Sequence, residues 1–263
     1  METGLPYLMP NRNKILQKKG ISLHFFKDGF YFCKSSEIVF IPLNNNLDNF
    51  NKSLNLYLDS YSQESFGEIS IIFFQNPSTF VPLSLFDKSL SNRYLNLFNK
   101  PKINEVLAYD SLNEIEQVNV YTYPKYINSI LKESQIDFSL LHYNTILYRK
   151  VLDISSSIKF NYQLFIHFQL ESIDFFLVRD KKVKFNNRFS VKNEDEFLYY
   201  LFFVVEQFDL ATEEYELIFL GKIKSYESYY KSVNQYHNNI KFIDQEKNQL
   251  LDLDIHQAPY LAL

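Results

Sequence analysis

Apolar and polar residues alternate in short stretches near the start of the chain, and the same pattern returns past its midpoint. Ile21 to Lys27 alternates as a strand, Asp28 and Gly29 turn it, and Phe30 to Lys34 leads back. Asp-Gly between apolar strands is a strong hairpin signal, because both central residues of a type I′ turn take positive φ. Ser35-Ser36 turns again into a third strand, Glu37 to Pro42. Asn44 to Asn46 can cap a helix from about Leu47, with Phe50, Leu54, Tyr57, Leu58 and Tyr61 on one face. Glu68 to Phe74, "EISIIFF", then reads as a buried strand.

The second half repeats this order. Gln163 to Leu170, Ile173 to Arg179 and Val183 to Phe189 are three strands, and Asn193 caps a helix to about Phe208. "EYELIFL", Glu214 to Leu220, answers "EISIIFF"; a helix from Ser225 to His237 and a strand from Ile240 to Ile243 follow. "HFFKDGFYF" at His24 to Phe32 likewise answers "HFQLESIDF" at His167 to Phe175. Each half is therefore strand-strand-strand-helix-strand-helix-strand, a mixed sheet flanked by helices.

In the first half this order is interrupted after Phe74. A helix to about Phe98 and a hairpin pairing Glu105 to Tyr109 with Gln117 to Tyr123 precede the fifth strand, Phe138 to His142. Helical residues from Asn144 to Ile154 then lead to a joint at Ser155 to Ser157. The expected domains are residues 21–157 and 158–263.

Both halves have the ribonuclease-H-like order, and the duplication resembles the actin-like ATPase fold of actin, sugar kinases, heat-shock chaperones and pilus-assembly proteins. The length, "FVPLSLFD" from Phe80 and "LHYNTILY" from Leu141 are similar to a Bacteroidetes family with that fold and no established function. The resemblance covers nearly the whole chain from about Ile21. It implies a phosphate loop in the first hairpin of each half, at Asp28-Gly29 and at Glu171-Ser172, and an adenosine-binding glycine at Gly221.

The residues depart from that pattern at each place. Phe30 and Tyr31 directly follow the first turn, the second turn has no glycine, and Gly221 is followed by Lys222. The whole chain holds only 5 Gly among 263 residues, so loops that let backbone approach phosphate have little material. Two expectations follow. One is a non-catalytic binding or scaffold protein with a degenerate nucleotide site and no cofactor. The alternative is a weak ATP-binding protein or ATPase using magnesium in the interdomain cleft.

Other chemistry finds less support. A metal-dependent nuclease needs carboxylates inside the first strand, and Ile21 to Lys27 has none. The histidines lie far apart with no ligand spacing, so no metal site is expected. His24 and His167 read as a repeated packing solution, and Cys33 as a buried apolar filler.

A hydrophobic fraction of 46% and a charged fraction of 22% are those of a globular chain with a proper core. The net charge of −4 argues against nucleic acid as a partner. One cysteine, no membrane-length apolar run and no targeting segment give a cytoplasmic expectation. "FLYYLFFVVEQF", from Phe197, is apolar nearly all round a helix. Phe197, Tyr200, Leu201, Phe203, Val204 and Phe208 are accordingly expected out of water, against the sheet and against the first domain or a second chain, so that a protein partner or self-association is expected.

Overall fold

The computed structural model describes residues 22–34, 37–43, 47–62, 69–96, 100–133, 138–155, 160–169, 172–221 and 226–243. These fall into two compact units that divide between Ile146 and Leu147.

In the first unit, β1 (Ser22–Phe26), β2 (Gly29–Lys34) and β3 (Glu37–Pro42) form an antiparallel meander, followed by α1 (Leu47–Ser62) and β4 (Ile69–Phe73). An insertion follows: β5 (Ser78–Pro82), two 3-10 turns, α2 (Ser91–Asn96), β6 (Glu105–Leu112) and β7 (Gln117–Pro124). Then come α3 (Lys125–Glu133), β8 (Phe138–His142) and the first residues of α4 (Tyr143–Ile154), which belongs to the second unit from Leu147 on. The main sheet has the order β3-β2-β1-β4-β8, with β4 parallel to both β1 and β8. The insertion makes its own antiparallel sheet, β5-β7-β6.

The second unit contains β9 (Tyr162–Gln169), β10 (Ser172–Arg179), β11 (Lys182–Ser190), α5 (Glu194–Gln207), β12 (Tyr215–Leu220), α6 (Glu227–Val233) and β13 (Ile240–Ile243). Its sheet order, β11-β10-β9-β12-β13, is that of the first unit strand for strand. The fold is thus a duplicated ribonuclease-H-like α/β arrangement. Each unit has its own core. Leu23, Phe25 and Phe30 meet Phe50, Leu54, Leu58, Ile127 and Leu131 in the first; Ile166, Phe168 and Phe175 meet Phe197, Leu201, Val204 and Tyr230 in the second.

Several local expectations are corrected. The first hairpin turns at Lys27 and Asp28, while Gly29 already pairs with Phe26 and Pro42 as the first residue of β2. Among the described residues Gly221 is the positive-φ glycine, and Asp180 and Lys181 between β10 and β11 carry paired positive φ of 52° and 55°. The helix α3, whose Ile127, Ile130 and Leu131 are buried at helical spacing, has no counterpart in the pattern read from sequence, nor has β5. The end of the helix expected to reach Phe98 lies outside the described residues; α2 is described over Ser91–Asn96 and is preceded by 3-10 turns, and α6 ends at Val233 rather than His237.

"EISIIFF" and "EYELIFL" are offset by two residues. Phe25 pairs with Phe73, but Phe219 pairs with Ile166, two residues short of Phe168. A shift of two keeps every side chain on its face, because the strand period is two. Of the joint expected at Ser155 to Ser157, Ser156 and Ser157 lie outside the described residues. Leu147, Tyr148 and Val151 of α4 are buried, and Tyr148 meets Phe176 edge-on at 5.9 Å.

Helix α5 begins where expected. Asn193 accepts a hydrogen bond from Glu196 N (2.9 Å), Glu196 in turn accepts from Lys192 N (2.9 Å), and three acidic residues occupy the first turn, where the helix dipole favours them. It ends in a Schellman arrangement: Leu210 N donates to Val205 O (3.0 Å) and Asp209 N to Glu206 O (3.1 Å), with Asp209 at φ 50° where glycine is usual. Phe197, Leu201 and Val204 are buried and Tyr200 and Phe208 half-buried, but Phe203 is exposed, with Tyr199 and Phe202. One face packs on the sheet; the opposite face meets water.

Candidate functional site

In this fold the carboxyl ends of the parallel strands are where ligands bind. In the first unit that edge carries the β1–β2 turn, the loop after β4 and the start of α4. Lys27 and Asp28 are exposed, yet the turn is tied down. Lys27 N donates to Gln75 Oε1 (2.9 Å), and Asp28 O accepts from Leu43 N (2.7 Å). Gly29 is buried for a packing reason. A Cβ there would stand 2.3 Å from Ile41 O and 2.7 Å from the Phe40 ring, both on β3.

Beside this turn lies a buried polar network that the sequence reading missed. Asp110, from the inserted β6, accepts from His142 N (2.8 Å), Thr145 Oγ1 (2.6 Å) and Tyr121 OH (3.1 Å). Asn119 Nδ2 donates to Thr145 Oγ1 (2.9 Å). His142 Nδ1 accepts from Asn144 N (3.0 Å), which leaves the ring proton on Nε2 to donate to Asn76 O (3.0 Å). Asn144 Nδ2 donates to Ser78 Oγ (2.9 Å). The Asp110 carboxylate thus takes the anion position at the amino end of α4, where N–H groups and the helix dipole favour negative charge.

In the second unit Glu171 lies outside the described residues. Ser172 opens β10, pairing with Gln169 and Ser190, and Gly221 closes β12 at φ 110°. A side chain at Gly221 would be strained there.

The paired histidines sit as the sequence match implies, but in different surroundings. His24 Nε2 meets Ser22 Oγ at 2.9 Å, and Nδ1 faces Cys33 Sγ at 3.7 Å. Burial pushes the His24 pKa down to about 3 and the Cys33 thiol up to about 12, so this is a neutral imidazole beside a neutral thiol, not an activated nucleophile. His167 Nδ1 instead donates to Asp174 Oδ2 (3.1 Å). Gln169 Nε2 donates to the same oxygen (2.7 Å), and Arg188 Nε to Asp174 Oδ1 (2.6 Å). Burial alone would raise the Asp174 pKa; Arg188 and His167 outweigh it and hold the carboxyl well below the usual range. An acid inside the apolar run "SIDFFLVR" was the legible signal that a partner is required.

Among the described residues no three His, Cys, Asp or Glu come together as metal ligands, and no helix is long and apolar enough to cross a membrane.

The fold and its duplicated sheets define an actin-like ATPase architecture. A Bacteroides thetaiotaomicron protein with actin-like ATPase fold and unknown function superposes with a TM-score of 0.73 at 18% identity, over 89% of this chain and 94% of that one. The PilM-PilN type IV pilus biogenesis complex gives a TM-score of 0.51 at 10% identity, over 86% and 88% of the two chains. The chain belongs to the family described as protein of unknown function (DUF3822), whose model matches residues 11–240. No curated protein matches it.

Proposed function

We propose that this is a non-catalytic binding or scaffold protein, with two subdomains (21–157 and 158–263) descended from one duplicated unit and a nucleotide site that is no longer built. The observation that carries this reading is the fate of the first turn. A phosphate loop must keep its backbone N–H groups for the ligand. Here the Lys27 N–H is given to Gln75, and Gly29 serves the contact with β3. On this reading Asp28 has no role in phosphate binding, and Glu171 and Ser172 are assigned the same loss from the sequence alone, where no glycine accompanies them.

The work left to such a fold is holding another protein, and the PilM neighbour was itself solved with a partner, PilN. The single buried cysteine fits a reducing, cytoplasmic setting.

A second reading, ATP with magnesium, draws on Gly221, whose positive φ at the end of β12 stands where an adenosine-binding glycine is expected. Titrating the full chain with Mg-ATP while following thermal unfolding separates the two.

A further inference from the structure

The exposed face of α5 is the least explained surface of the second unit. Tyr199, Phe202 and Phe203 are 65%, 37% and 46% exposed. They stand at i, i+3 and i+4, so they share one face. Tyr199 stacks on Phe203 at 6.5 Å, and Phe202 meets the exposed Tyr236 edge-on at 5.2 Å. A grouped aromatic surface of this kind marks an interaction site.

Its charge says what fits there. Asp195 lies four residues before Tyr199 and Glu206 three after Phe203; both are exposed, and α5 contains no Lys or Arg. The aromatic stripe therefore ends in a carboxylate on either side. Eleven residues at ~1.5 Å each put the two about 16 Å apart. A second copy docked through this face would set carboxylates against carboxylates in either orientation, which is unfavourable. Nucleic acid and anionic lipid are repelled by the same two groups.

We propose that this face of α5 docks a helix of a partner polypeptide whose apolar anchors are flanked by Lys or Arg about 16 Å apart (three turns of helix). The proposal rests on the binding-protein reading and gives that reading a surface and a ligand chemistry.

The test uses the full chain and two synthetic amphipathic helices of one pattern. One has leucines bounded by lysines; in the other, glutamates replace the lysines. Fluorescence anisotropy should show the lysine peptide binding, and more weakly as salt rises. Phe202→Ser with Phe203→Ser should weaken it tenfold or more, and Asp195→Lys with Glu206→Lys should reverse the preference toward the glutamate peptide. Unchanged melting temperatures would show that both variants fold. The proposal is overturned if neither peptide binds, if both bind the parent and the aromatic variant equally, or if sedimentation shows a dimer that Phe203→Ser dissolves. Those failures concern this face alone; failure of the nucleotide-free reading would appear as a Mg-ATP response.

Discussion

Arg188 reaches across from β11 to place its Nε 2.6 Å from Oδ1 of Asp174, a carboxylate almost wholly out of water. Removing one partner of a buried pair strands the other charge, which costs about 3–5 kcal/mol. Arg188→Met should therefore destabilise the second unit within or just below that range, since the guanidinium is partly exposed. Urea denaturation measures it. Asp174 has a lowered folded pKa, so its contribution is complete above the unfolded value and lost as pH falls through the folded one. Asp174→Asn should flatten the fall in stability below about pH 4.

His24 acts in a different window. Its folded pKa is held near 3, so the folded chain binds fewer protons here than the unfolded one between about pH 3 and 6.5. Stability should rise with pH across that interval, with a slope of up to about 1.4 kcal/mol per pH unit from this residue. His24→Gln should remove that component while leaving the slope below pH 3 in place. An unchanged slope between pH 4 and 6 would place the proton elsewhere.

Gly29 separates the packing role from the phosphate role. Gly29→Ala forces a methyl against Ile41 O and Phe40, and overpacking of this kind costs about 1–3 kcal/mol. Denaturant midpoints should show the loss. A variant as stable as the parent would mean that β3 yields at no cost and that the glycine is there for another reason.

Two backbone positions should gain from substitution. Lys181 at φ 55° and Asp209 at φ 50° hold left-handed backbone that glycine adopts freely. Lys181→Gly and Asp209→Gly should each stabilise by about 0.5–1 kcal/mol, less for Asp209 because aspartate tolerates this region. Thermal melts of the single variants would show it.

The strands were legible because period-two alternation and turn residues sit in contiguous sequence. The repeat of "HFFKDGFYF" in "HFQLESIDF" located equivalent strands and histidines, and the structure keeps that match. Three things were not legible. The two-residue offset of β12 leaves the facial pattern unchanged, so alternation carries no trace of it. The exposure of Phe203 depends on what packs over α5, which composition does not state. The Asp110 network joins β5, β6, β7, β8 and α4 from residues up to 66 positions apart, and the insertion that supplies Asp110 reads locally as an ordinary hairpin.

The proposed function requires that Asp28 and Glu171 no longer serve a nucleotide. A ligand at ~100 times its dissociation constant stabilises a fold by about 2.7 kcal/mol, which a thermal shift resolves. With millimolar Mg-ATP the account predicts no appreciable rise in melting temperature, no hydrolysis, and the same result for Asp28→Asn and Glu171→Gln. A clear magnesium-dependent rise that either substitution abolishes would contradict it and establish the ATP-binding reading instead.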